Sequence, residues 1–342
     1  MEINEHLPPK EPQPFKVTIG TATRPSPEHP ERNEDSIINV GEKNVAGVAD
    51  GVGGHGQGNI ASKFLKKHIE TLVQTNNFTS PEAFFAIIKQ ALGDYRTDMT
   101  NFGRADSTLT VGWVFEKEGN RLLALAAAGD SRAYALHGDG SFEQISKDQN
   151  VVNDVFDQYP EIAKFVNDAM DNGETVRDVL SDQNKAALHT LWEATNPIDR
   201  QNILDKISKF LSTRNIHILL TEPLLDHFWL TRNVIAHGTR GDYRHGNLTE
   251  TVQFEVVPLA GGIVGLEFGS DGGSDTLSLP HLTSIGKSID LTQTGFAQPL
   301  AREIVDTAYG IFLDPKQKNP PNAQVYRTKP DDVTAVVMEL PQ

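Results

Sequence analysis

The chain has 342 residues, with 31 Lys and Arg against 46 Asp and Glu, a net charge of −15 and no cysteine. That length suits one large domain or two of about 150 residues each. The missing thiols exclude a disulfide scaffold, a thiol nucleophile, a Cys-ligated zinc site and an iron–sulfur cluster, which leaves oxygen and imidazole as metal donors.

A chain this acidic, with no clustered Lys or Arg, would repel a polyanion, so nucleic acid is excluded as a partner. The longest nearly uncharged apolar stretch, residues 122–129, falls far short of the ~20 residues that span a membrane, so no membrane insertion is expected. Residues 1–14 carry four prolines and read as a mobile leader, with order beginning near Phe15. They lack the basic start and apolar run of a signal peptide, so the expected location is cytoplasmic.

In chain order, residues 44–49 (NVAGVA) form a short strand ending at Asp50, and a Gly-rich loop, DGVGGHGQG, leads into a helix from about residue 59. In that helix the ladders Ile60, Phe64, His68, Leu72 and Ala61, Leu65, Ile69, Val73 make one apolar stripe, with Lys63, Lys66, Lys67 and Glu70 outside it. A second helix opens with Ser80 as N-cap and Pro81 in its first turn, and buries Phe84, Phe85, Ile88 and Leu92. From Ser107 the period becomes two: Leu109, Val111, Trp113 and Phe115 alternate with smaller or polar residues, KEGN turns the chain, and residues 121–128 return as a buried strand. Residues 131–136 continue the meander. Between about 150 and 231 the composition shifts to Asp, Asn, Lys and Gln with helical spacing, which predicts a helical insertion in the domain of residues 15–342. Strands resume at 252–257, 263–268 and 333–340, with a helix at about 299–311 between the last two. Blocks of strands separated by blocks of helices predict an α+β layered domain with largely antiparallel sheets.

Four acidic clusters adjoin these strands: RNEDS with Glu34 and Asp35, VADG with Asp50, GSDGGSD with Asp271 and Asp275, and PDDVT with Asp331 and Asp332. Asp beside Gly is ordinary turn chemistry at any one of them. Several carboxylates gathered in one fold repel one another unless a positive charge sits among them. Oxygen-only donors select magnesium, manganese or calcium over zinc.

RNEDS, VADGVGGHGQGNIAS, STLTVGW, AAAGDSRAYAL, GSDGGSDTL and KPDDVTAVVMEL, in this order, resemble the successive motifs of the metal-dependent protein phosphatase family, type 2C, with a bacterial-like motif set. The match runs from about residue 33 to 340, interrupted by the insertion. The resemblance implies a β-sandwich of two antiparallel sheets flanked by helices. It also implies a protein serine/threonine phosphatase with two Mg or Mn ions, acting on phosphoserine and phosphothreonine proteins by in-line attack of a hydroxide that bridges the metals. By the same resemblance Asp50 bridges the two metals. Glu34 and the Gly51 carbonyl complete the shell of one ion, and Asp271 and Asp331 hold the other. Asp35 contacts metal-bound water, Asp275 stands behind the ligands, and Asp130 of GDSR holds a third, weaker ion.

The family's phosphate-binding arginine is expected five residues before Asp35, where this chain has Pro30, so Arg32 or Arg24 takes its place after a local insertion (HPER). His55 is a candidate general acid or a structural part of the Gly-rich loop. The sequence allows two other readings. Gly51, Gly53 and Gly56 match the GxGxxG of a dinucleotide-binding turn, although Asp50 would set a negative charge beside the pyrophosphate. A catalytically inactive relative would present the same surface purely for binding. The insertion, lying beside the cleft, is expected to form a small helical subdomain that packs on a protein partner, on the sandwich or on itself.

Overall fold

The computed structural model describes residues 15–51, 57–98, 107–147, 252–274, 276–277, 279–314 and 330–341. Ten described strands form two five-stranded sheets. In the first, the order is β2 (Asp35–Val40), β3 (Val45–Asp50), β4 (Leu109–Lys117), β5 (Asn120–Ala128) and β8 (Gln253–Pro258). In the second it is β1 (Thr18–Arg24), β10 (Val333–Glu339), β9 (Ile263–Gly269), β6 (Arg132–His137) and β7 (Phe142–Gln144). Every pairing among them is antiparallel, so the expected sandwich is present and the parallel crossover of a dinucleotide-binding fold is not found among the described residues.

Five described α-helices cover the sheets: α1 (Gly58–Thr75), α2 (Pro81–Asp98), α3 (Asp271–Ser274), α4 (Leu279–Ser288) and α5 (Ala297–Leu313). Apolar side chains fill three layers. Ile38, Val45, Val111 and Ala124 meet α1 and α2; Ala46, Val48, Leu125, Phe268 and Val336 fill the space between the sheets; Leu136, Ala335 and Val337 meet α4 and α5. A central strand therefore faces apolar groups on both sides. This is why β3 and β10, buried along their whole length, read as unbroken apolar runs rather than alternating ones.

Local chemistry agrees with the tertiary arrangement. The KEGN turn places Glu118 at φ 54° and Gly119 at φ 77°, the two left-handed positions that a tight hairpin requires. Ser80 caps α2, its hydroxyl accepting the Ala83 N–H at 3.3 Å. On α1 the stripe is narrower than its sequence pattern: Ala61, Leu65, Ile69 and Val73 are buried, whereas Phe64 and Leu72 lie at the margin and Ile60 is 38% exposed. Helix α5 begins two residues earlier than expected and lacks a local cap. The Glu339 carboxylate at the end of β10 instead accepts the N–H groups of Gly295 and Ala297.

Strand β1, composed of TIGTATR, carries no run of large apolar groups and was not foreseen. Gly20 lets the start of α5 lie directly on it, where a Cβ would overlap the backbone of Ala297 and Gln298. Strand β2 and helix α4 were likewise not anticipated. The leader and the predicted helical insertion lie outside the described residues. The described residues on either side of 148–251 are neighbours: the Lys147 N–H donates to the Gln253 side chain at 3.0 Å. No helix among the described residues is long and apolar enough to cross a membrane.

Candidate functional site

Strand register gathers the acidic positions at one end of the sandwich. In the first sheet Asp35 pairs directly with Asp50, Val48 pairs with Thr110, and Leu109 pairs with Ala128, so the start of β2, the end of β3 and the turn holding Asp130 share that end. In the second sheet Gly269 lies between Arg132 and Ala335, so Asp271 just after β9 and Asp331 just before β10 emerge together. Glu34, Asp35, Asp50, Asp130 and Asp271 are all buried, and Asp331 is half-buried.

Hydrogen bonds stitch the two sheets together here. The carboxylate of Asp332 accepts the Ser26 N–H at 2.6 Å and the Glu34 N–H at 2.7 Å, across some 300 residues of sequence. The Gly51 N–H reaches the Glu34 carbonyl at 3.0 Å, and the Asp50 carbonyl accepts the Thr108 N–H at 2.8 Å. Gly51 and Gly272 are both required by close approach. A Cβ on Gly51 would overlap the Gly58 carbonyl, and one on Gly272 would overlap the Asp332 carbonyl.

The electrostatics are those of crowded carboxylates. Burial, and after it the charge of Asp332, push the Asp35 carboxyl well above its ordinary range. Both Asp35 oxygens lie inside the protein, and the hydroxyls of Thr334 and Ser270 pull against the rise. Glu34 Oε1 is buried without a hydrogen bond and stands 3.4 Å from Arg32 Nε. Burial raises Asp332 to about 6 against the opposing pull of the Glu34 and Ser26 amides. Buried anionic oxygens of this kind cost several kcal/mol each unless a cation joins them. All the donors are oxygen, so the residues present fit a hard divalent cation such as magnesium or manganese.

The two arginine candidates separate. Arg24 is engaged on the outside of α5, its guanidinium 2.6 Å from Asp306 and stacked over the Tyr309 ring, whereas Arg32 stands at Glu34. His29, from the same HPER segment, was not singled out by sequence. Its Nδ1–H donates to the Arg32 carbonyl at 2.9 Å and lies 3.7 Å from Asp332. Burial pulls this imidazole down, but the Arg32 carbonyl and the Asp332 charge outweigh it and hold it above its usual value. His29, Glu34 and Asp332 bring one ligand atom each within 4.8 Å of one another, although both Asp332 oxygens already serve backbone amides. His55 and Asp275 lie outside the described residues.

Known structures share the overall fold. The fold is that of bacterial serine/threonine phosphatases. The serine/threonine phosphatase Stp1 from Staphylococcus aureus aligns with a TM-score of 0.57 at 17% identity, over 97% of this chain and 99% of that one. The PPM Ser-Thr phosphatase MsPP from Mycobacterium smegmatis, solved in complex with cacodylate, gives 0.53 at 18% identity over 96% and 100% of the two chains. PppA, a key regulatory component of T6SS in Pseudomonas aeruginosa, gives 0.55 at 17% over 96% and 99%. By sequence, no family model and no curated protein matches the chain.

Proposed function

We propose that the protein is a metal-dependent serine/threonine phosphatase that hydrolyses phosphomonoesters on proteins. The observation that carries this reading is the convergence of Glu34, Asp35, Asp50, Asp271 and Asp331 at one end of a phosphatase-type sandwich, with Glu34 Oε1 buried without a hydrogen bond and the Asp35 carboxyl buried among other acidic groups. Asp50, Glu34, the Gly51 carbonyl, Asp271 and Asp331 would hold two Mg or Mn ions, with Asp130 at a third, weaker position. When bound, such ions supply Lewis acidity that lowers the pKa of water and draws charge from phosphoryl oxygens. Asp35, buried beside that shell, orients the attacking water. Arg32, whose Nε stands 3.4 Å from Glu34, would meet the phosphoryl oxygens; Arg24 is already engaged with Asp306 and Tyr309. Asp275 supports the ligands from behind, and His55 protonates the leaving oxygen or shapes the Gly-rich loop.

The test is phosphate release from a phosphothreonine peptide with and without manganese. Release should require the metal and vanish with a chelator. Release that survives exhaustive chelation, or none with any divalent ion, contradicts the proposal. The likeness to PppA keeps a second reading, a regulatory module that binds without turnover, in view. That module would bind the phosphopeptide and release no phosphate at any metal concentration.

A further inference from the structure

The buried hydroxyls under the acidic end are not used by the chemistry above. Thr108, Thr110 and Ser131 are each at most 2% exposed. The Thr108 hydroxyl accepts the Asp50 N–H at 3.2 Å and shares a hydrogen bond of 2.7 Å with the Ser131 hydroxyl. Two residues further on, within β4, the Thr110 hydroxyl donates to the Ser131 carbonyl at 2.7 Å. Ser131 is thus held at both its side chain and its backbone, by Thr108 just before β4 and by Thr110 within it. Gly129, at φ 98°, lies so close to Thr108 that a Cβ there would come within 2.8 Å of the Thr108 methyl group. The turn from Gly129 to Ser131, which carries Asp130, therefore rests on the same residue that fixes the end of β3, which carries Asp50.

We infer that Thr108 is a positioning residue that couples the Asp50 and Asp130 positions through its hydrogen bond to Ser131. Thr108 acts here through backbone and hydroxyl groups. It fixes the backbone of one and, through Ser131, the turn of the other, so loosening either partner loosens both. A threonine here does what valine of the same shape cannot: valine would leave the Asp50 N–H and the Ser131 hydroxyl buried without this partner. The inference rests on the reading of Asp50 and Asp130 as metal-holding groups, but its structural part is measurable without metal.

The experiment follows amide hydrogen exchange at Asp50 in the metal-free full-length protein, together with manganese affinity by calorimetry, for Thr108→Val, Thr108→Ser, Ser131→Ala and the double variant Thr108→Val/Ser131→Ala. Ser131→Ala should speed exchange at Asp50 and weaken manganese binding by about ten-fold, the scale of one lost buried hydrogen bond, although Ser131 makes no contact with Asp50 in this network. Thr108→Val should do the same or more, Thr108→Ser should stay close to the parent, and the double variant should be no worse than Thr108→Val alone because the two changes remove one shared bond. Unchanged exchange at Asp50 in Ser131→Ala, or losses that simply add in the double variant, overturn the inference. If Thr108→Val fails to fold, Ser131→Ala still decides it. A parent protein that binds no manganese would instead contradict the proposed function, and the exchange arm would still judge the coupling.

Discussion

Two groups of buried carboxyls in the protein have contrasting surroundings. In the layer under α5, Glu267 on β9 stands between Tyr134 and Val337 in an apolar cluster, only 2% exposed, and burial alone raises it to about 8. At the acidic end, burial is joined by the charge of Asp332 in raising Asp35, and Glu34, Asp50, Asp130 and Asp271 are buried at the same end. A lone buried carboxyl resolves its cost by keeping its proton. A cluster cannot do so economically at every member, and a divalent cation is the alternative that leaves the oxygens available for chemistry. The contrast separates a structural acid from a site.

The largest effect that can break this comparison comes from the cluster. Asp50→Ala removes the group read as bridging both ions. Turnover should fall on the order of a hundred-fold or more, since loss of groups merely supporting a metal ligand typically costs ten- to a hundred-fold. Near-normal steady-state turnover in that variant would dismiss the bridging role.

The lone carboxyl provides the complementary test. Below about 4.5, the ordinary value for Glu267, both folded and unfolded chains hold its proton and it has no effect on stability. As pH rises toward about 8 the unfolded chain releases the proton while the folded one retains it, so the folded state loses stability progressively; above about 8 the loss is constant. Glu267→Gln should remove a few kcal/mol of this pH dependence. Urea unfolding of both proteins between pH 5 and 9 checks it, and parallel stability curves would show that Glu267 is not the buried acid described.

Two smaller effects sharpen the division. Asp130→Ala should lower turnover while leaving two tight manganese sites in calorimetry; loss of a tight site would place Asp130 among the principal ligands. Glu339→Gln weakens the carboxylate that serves the amides of Gly295 and Ala297, and should cost about 1–2 kcal/mol in thermal unfolding without changing metal affinity. A change in manganese binding would mean that the two regions are not independent.

Much of the acidic end was legible because its residues sit in short motifs at strand ends, where turn chemistry places Gly beside Asp. The hairpin of β4 and β5 was legible from its period of two and its KEGN turn. What was not legible depends on contacts distant in sequence. Asp332 looks like the second half of a repeated aspartate until the structure shows it holding Ser26 and Glu34, and His29 has no local pattern at all. The hydroxyl of Thr108 matters only because Gly129 and Ser131 are folded against it. Strand β1 escaped notice because small residues make room for α5 where large apolar ones would have signalled a strand.

The insertion bears on the comparison from outside the described residues. Because Lys147 and Gln253 are hydrogen-bonded neighbours, replacing residues 155–226 with a short Gly/Ser linker should leave the sandwich folded and p-nitrophenyl phosphate hydrolysis within about two-fold of the parent, a few tenths of a kcal/mol in barrier, while changing selectivity among phosphoproteins. An unfolded deletion variant would make the segment a brace instead, and unchanged protein selectivity would remove its gating role.

The central claim is that the clustered carboxylates hold cations and the solitary one does not. Anomalous scattering at the manganese edge, from crystals grown with manganese, tests it most directly. The account predicts two strong peaks among Glu34, Asp50, Asp271 and Asp331 and none at Glu267. An acidic end without a peak at saturating manganese would contradict it.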